Sequence, residues 1–295
     1  SCTNPLASEP GPPPTPTPPF ARESAAVATA EAGGDAKARA DALYERGNAK
    51  FDAGKLEDAI VDYNAAIKLD PRNARAFNNR ALAQNALGKP EAALADYAQA
   101  IKIDPGYVRA YKNRLPLLEQ RGDLKTLVAD YNQLATIDAD NAADYRYLQG
   151  VALRGLGDVA GARKAFDTAL VRDPDNVDAL YERALLNFAE HKLPAAIDDL
   201  DRAIKLSPRA ANAYYVRGLA WNAQGDPARA LADFDAALKL QPKYPEAQLA
   251  RASALHAAKD DDRARAALQA LDKQNLDDGL KAAAEALRRQ LGSRP

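Results

Sequence analysis

Few residues in this chain are of a type and spacing that could carry catalytic or metal chemistry. The two histidines, His191 and His256, stand far apart and share no motif. His191 falls in a short turn, and His256 sits among alanines. Cys2 is the single cysteine, which excludes an internal disulfide. Neither the paired-histidine spacing of a zinc helix, nor the serine elbow of a hydrolase, nor a phosphate-cradling glycine loop occurs. Carboxylates are abundant, but most alternate with lysine and arginine, the pattern of a solvated helix face. These residues predict a protein that is not an enzyme and needs no metal or cofactor.

Two charged residue types nevertheless recur in step. Arginine returns at Arg46, Arg80, Arg114, Arg183, Arg217 and Arg251, and aspartate at Asp62, Asp96, Asp130, Asp199 and Asp233. Where Gln149 replaces the arginine, Ala165 replaces the aspartate. The joint absence predicts that each arginine holds the aspartate of its own segment, a pairing that suits the planar guanidinium fork. Arg251, facing Ala267, is the exception.

The elements that would position these pairs repeat every 34 residues, and a fixed period of this size marks a helical array. Each repeat has a small residue (Gly47, Ala81, Gly150, Ala184, Gly218, Ala252) and then a turn, which holds glycine at Gly54, Gly88, Gly122, Gly157 and Gly225. Alanines follow, around an aromatic at Tyr63, Tyr97, Tyr131, Phe166 or Phe234. A proline such as Pro71, Pro105 or Pro174 closes the repeat. Apolar residues at helical spacing on both sides of the turn predict two antiparallel helices per repeat. The small residue lets them approach, and the aromatic fills the space beside it. One such pair cannot bury its own apolar face, so the repeats must stack.

This pattern closely resembles the tetratricopeptide repeat over about 80% of the chain. The resemblance implies an all-α, right-handed superhelical solenoid of helix-turn-helix units whose first helices line a concave, peptide-binding groove. Seven units are expected at 40–73, 74–107, 108–141, 143–176, 177–210, 211–244 and 245–278, followed by a capping helix at 279–291. The third unit departs from the pattern. Leu115 replaces a small residue, Pro116 lies inside the first helix, Leu127 and Leu134 replace alanines, and Ala139 replaces the closing proline. It is therefore expected to be the irregular joint of the array.

The resemblance also implies which residues meet a partner. Tyr44, Tyr147, Tyr181 and Tyr215 share the position that lines the groove, with Asn78 and Lys112 at the equivalent places. Asn48, Asn79 and Arg109 fall where some family members clamp a peptide's terminal carboxylate, although Tyr44 and Asn113 depart from that clamp. Arg75, Arg109 and Lys112 add positive charge. The expected partner is a protein or an extended peptide, acidic or ending in a free carboxylate.

The charge balance, 40 Lys and Arg against 41 Asp and Glu, gives no basic excess of the kind that nucleic-acid binding requires. No segment reaches the roughly 18–20 apolar residues of a membrane span. Residues 1–36 differ from the rest, beginning with a proline-rich run (GPPPTPTPP) that favours an extended, hydrated chain and is expected to be a disordered tether. The Ser1-Cys2 start resembles a bacterial lipoprotein processing site. It implies lipidation at Cys2 and a protein anchored in the cell envelope, facing the periplasm; the alternative is a cytoplasmic adaptor.

Overall fold

The computed structural model describes residues 20–274 and 276–292. Those residues form sixteen α-helices and one 3-10 turn, with no strand among them. The chain divides into two compact units, residues 1–121 and 122–295, and the division falls inside the third repeat.

The first unit opens with helix α1 (Ala21–Gly33), which corrects the expectation that residues 1–36 lack fixed structure. The segment ARESAAVATAEAG is rich in alanine, the strongest helix former, and Val27 gives it something to bury. Val27 is enclosed against Leu43 and Ala66, so α1 packs on the repeats instead of trailing from them. The proline run and Cys2 lie outside the described residues.

Beyond α1 come α2 (Ala36–Asp52) with α3 (Leu56–Leu69), and α4 (Ala74–Ala86) with α5 (Pro90–Ile103). Helix α6 (Val108–Arg121) ends the unit and runs unbroken through Pro116, although that residue has no N–H to give the helix ladder. Leu117 and Leu118 are buried beside it.

The second unit begins with α7 (Leu124–Ile137), whose Leu127 and Leu134 are buried where other repeats have alanine. After a 3-10 turn at Ala139–Asn141 come α8 (Ala142–Gly155) with α9 (Val159–Arg172), and α10 (Val177–Ala189) with α11 (Leu193–Leu206). Next are α12 (Ala211–Ala223) with α13 (Pro227–Leu240), and α14 (Pro245–Ala257) with α15 (Asp261–Leu271). Helix α16 (Asp278–Gly292) lays Ala284, Leu287 and Leu291 against Leu255, Leu268 and Leu271, closing the apolar end of the last pair.

Close packing within each pair follows from the small residue. A Cβ built on Gly47 would stand 2.7 Å from the Tyr63 ring, one on Gly150 2.5 Å from Phe166, and one on Gly218 2.7 Å from Phe234. The turn glycines take positive φ, and His191 (φ 56°) and Lys259 (φ 62°) hold the same conformation in the two repeats lacking glycine there.

The arginine–aspartate pairing forms as the spacing implies. Arg46, Arg80, Arg183 and Arg217 each grip the aspartate 16 residues ahead through two hydrogen bonds. The sequence did not reveal a second arm. Arg80, Arg183 and Arg217 also donate to Asn64, Asp167 and Asp201, 16 residues behind, in the preceding repeat. Arg251, with Ala267 16 residues ahead, keeps only the backward bond, to Asp235, among the described residues. In the fourth repeat Arg146 substitutes, donating to Asn132 and Gln149.

Candidate functional site

In the first unit, the face built by α2, α4 and α6 carries a chain of side-chain amides. Asn48 Oδ1 accepts from the Tyr63 hydroxyl at 3.0 Å and from Asn79 Nδ2 at 2.8 Å. Asn79 Nδ2 also reaches the Tyr44 hydroxyl at 3.1 Å, and its Oδ1 accepts from Asn78. Asn78 Oδ1 in turn accepts from Asn113 Nδ2 at 3.0 Å. The chain thus runs from the second helix of one repeat to the first helices of the next two.

This network alters what two predicted contact residues can do. Asn78 has no exposed surface, so its expected place on the groove wall is corrected to a buried link between α4 and α6. An amide oxygen has two lone pairs, and both on Asn48 are engaged within the unit. Asn48 and Asn79 therefore fix their neighbours, and what faces outward is Tyr44, Arg75 and Arg109.

Tyr44, Asn48, Asn79 and Arg109 border one cleft of about 300 Å³ together with Phe51, Asp52, Tyr63 and Leu82. Arg75 is exposed, its guanidinium carbon 6.0 Å from the Tyr44 ring centre. With Tyr107 it lines a second cleft of about 390 Å³, where Asp41, Asp70 and Asp104 also stand. Burial raises the Tyr107 hydroxyl above its ordinary pKa, with Tyr44 adding to the effect and Arg109 and Arg75 opposing it. Lys112 is exposed on α6. Helix α1 borders a further cleft with Arg22 and Glu23 beside Asn48.

The predicted tyrosines of the second unit form a separate wall. The Tyr147 ring lies 6.2 Å from Phe166, and Tyr215 lies 6.1 Å from Phe234 and 5.0 Å from Tyr244. Tyr181 rests on the cluster around Leu200 and Val216. Burial raises the pKa of Tyr147, Tyr181 and Tyr215, and pushes that of Tyr244 up to about 12. Glu182 is raised by burial, opposed by Arg154 at 3.2 Å. The predicted groove residues therefore belong to two places, Tyr147, Tyr181 and Tyr215 in the second unit and the rest in the first.

Tyr107 and Tyr244 were missed by the sequence reading. They hold one shared position just ahead of the first helix, and the repeat period, allowing for one extra residue after the third repeat, would have aligned them.

Known repeat families match the same segments. A profile described as a TPR repeat covers residues 47–88, and tetratricopeptide repeat profiles cover 74–107, 147–211, 181–245 and 222–275. The chain belongs to the tetratricopeptide repeat family. Among solved structures, this TPR protein is similar to YrrB, described as a TPR protein with an unusual peptide-binding site. The identity is 22%, with 67% of this chain and 97% of that one covered, and the TM-score is 0.51. It is also similar to the C-terminal part of a TPR repeat-containing protein from Cytophaga hutchinsonii, at 15% identity. There 81% of this chain and 98% of that one are covered, with a TM-score of 0.61. Identities this low establish the shared helical repeat fold alone. As a TPR array, the chain is a scaffold for protein–protein interaction.

Proposed function

We propose that this TPR protein is a non-catalytic adaptor whose first unit holds an extended, acidic protein segment or a free carboxyl terminus. The observation that carries the reading is the amide network that locks Tyr44 in place while leaving Arg75 and Arg109 exposed around it. Two guanidinium groups suit bidentate recognition of carboxylates. A fixed tyrosine adds apolar area at little entropic cost. The peptide-binding site of the relative YrrB supports the same use of the fold.

Calorimetric titration of an acidic peptide into the full chain tests this. Arg109→Ala should weaken binding by about 1–3 kcal/mol, as expected for a lost charge-assisted hydrogen bond. Asn79→Ala should weaken it less and also lower stability. Added salt should reduce the affinity, because exposed charges are screened. Unchanged affinity in Arg109→Ala with helicity intact would remove this face as the site.

The Ser1-Cys2 start and the proline-rich run support a second element of the proposal. Lipid on Cys2 would hold the adaptor in the bacterial cell envelope, with the run as spacer. Expressed from its precursor in a bacterial host, the protein should fractionate with membranes, and Cys2→Ala should release it. A mass equal to that of the unmodified chain would exclude the anchor and favour the cytoplasmic alternative.

A further inference from the structure

We propose that the tyrosine wall of the second unit is a distinct docking face for an extended segment bearing regularly spaced arginine or lysine. The inference rests on the reading that first-helix faces bind partners, but it concerns a different unit and the opposite charge.

One repeat position carries the argument. With one extra residue allowed after the third repeat, the place three residues before the groove tyrosine holds Asp41, Arg75 and Arg109, then Asp144, Asp178, Asn212 and Glu246. The first unit therefore mixes Asp41 with Arg75 and Arg109 at this position, whereas the second unit holds no cation there, only three carboxylates and Asn212. Asp144, Asp178 and Glu246 are all exposed. Asp144 accepts a hydrogen bond from Asn176 at 3.2 Å, whereas Asp178 and Glu246 take part in no ion pair among the described residues. Glu182, by contrast, already holds Arg154.

The tyrosines supply the second half of the recognition. Tyr147, Tyr181, Tyr215 and Tyr244 lie on or next to α8, α10, α12 and α14, which touch in that order. Tyr215 and Tyr244 are in ring contact, and Asp178 and Glu246 stand close enough to Tyr147 and Tyr215 to add to the rise in their pKa that burial causes. A cation seated between a ring face and a carboxylate meets negative potential from both, which a neutral or anionic side chain does not. Spacing favours an extended ligand. Packed helix axes lie about 8–10 Å apart, close to three residues of polyproline II at roughly 3.1 Å each. A cation at every third residue would meet successive repeats in register.

The probes are peptides of about a dozen residues made of Arg-Gly-Ser repeats, with Gln-Gly-Ser and Glu-Gly-Ser counterparts, titrated into the full chain by fluorescence anisotropy. The arginine peptide should bind, and binding should weaken with salt. It should lose about five- to tenfold in affinity in the Asp178→Asn, Glu246→Gln double variant, since each exposed pair is modest. Both substitutions preserve shape at exposed positions, and far-UV circular dichroism verifies the fold. Arg109→Ala should leave this binding unchanged while weakening the acidic peptide. Equal binding of the glutamine peptide, equal affinity in the double variant, or no binding of the arginine peptide would overturn the proposal. If the acidic peptide still binds in that case, the first-unit reading survives; loss of both removes the scaffold reading as well.

Discussion

Tyr63 and Tyr97 occupy the same place in successive repeats, and both rings are fully buried. The Tyr63 hydroxyl donates to Asn48, but Leu82 holds the position equivalent to Asn48 in the next repeat. The Tyr97 hydroxyl accordingly has no hydrogen-bond partner among the described residues. Replacing each by phenylalanine should thus have opposite effects. Tyr63→Phe should destabilise by about 1 kcal/mol and leave an amide oxygen short of a donor, whereas Tyr97→Phe should stabilise by a similar amount. Urea unfolding of the two variants checks the sign.

Asp62 shows a related balance. Burial opposes its ionisation, but hydrogen bonds from Arg46 and Lys50 outweigh that and hold its pKa below the ordinary carboxylate range. The stabilisation is present above the unfolded-state pKa and is lost as pH falls through the depressed folded value. Asp62→Asn should therefore weaken the protein at pH 7 yet narrow its difference from wild type below about pH 4.

At the scale of the helix and its turn, small residues and backbone handedness decide. Alanine in a helix interior ordinarily improves on glycine by roughly 0.5–1 kcal/mol. At Gly150, the Phe166 ring would stand 2.5 Å from the added carbon, so Gly150→Ala should instead cost about 1–3 kcal/mol. His191 holds a left-handed conformation that suits glycine, and His191→Gly should stabilise the α10–α11 pair by up to about 1 kcal/mol. Thermal melts of both variants test these opposite expectations.

The helix pairs and their tight contacts were legible because they depend on local periodicity: a small residue, a turn and an aromatic at fixed offsets. Helix α1 was not, because its neighbouring proline run dominated the composition and its single buried anchor, Val27, has no period to betray it. The candidate site was readable only in part. Position within the repeat identified Tyr44, Asn79 and Arg109, but whether an amide points outward or bonds inward depends on neighbours one repeat away. Asn78 and Asn79 are adjacent in sequence, yet one is buried and the other borders the cleft.

For the whole molecule, the division at residues 121 and 122 implies that cooperativity has a limit. A repeat array is held by neighbour contacts, and long arrays need not unfold in one step. Trp221 is the only tryptophan and lies in the second unit, its ring 3.6 Å from the Arg229 guanidinium carbon. Tryptophan fluorescence should report the second unit, while far-UV circular dichroism averages both. The two denaturant transitions are expected to have different midpoints, and coincident curves would show that the units unfold together.

The two-armed arginines bear on how such a chain can change length. Arg80, Arg183 and Arg217 each fasten a partner ahead and one behind, as a brick laid across a joint ties two courses. A duplicated 34-residue segment would bring its arginine and both acceptors in phase, so gene duplication among such repeats extends the bond without an unmatched charge. The fourth repeat, with Gln149 and Ala165, interrupts that bond. Recombination that transplants repeats between related arrays should be best tolerated at the junction ahead of the fourth repeat, where Gln149 has no backward guanidinium arm to lose; at its far end Arg183 still reaches back to Asp167.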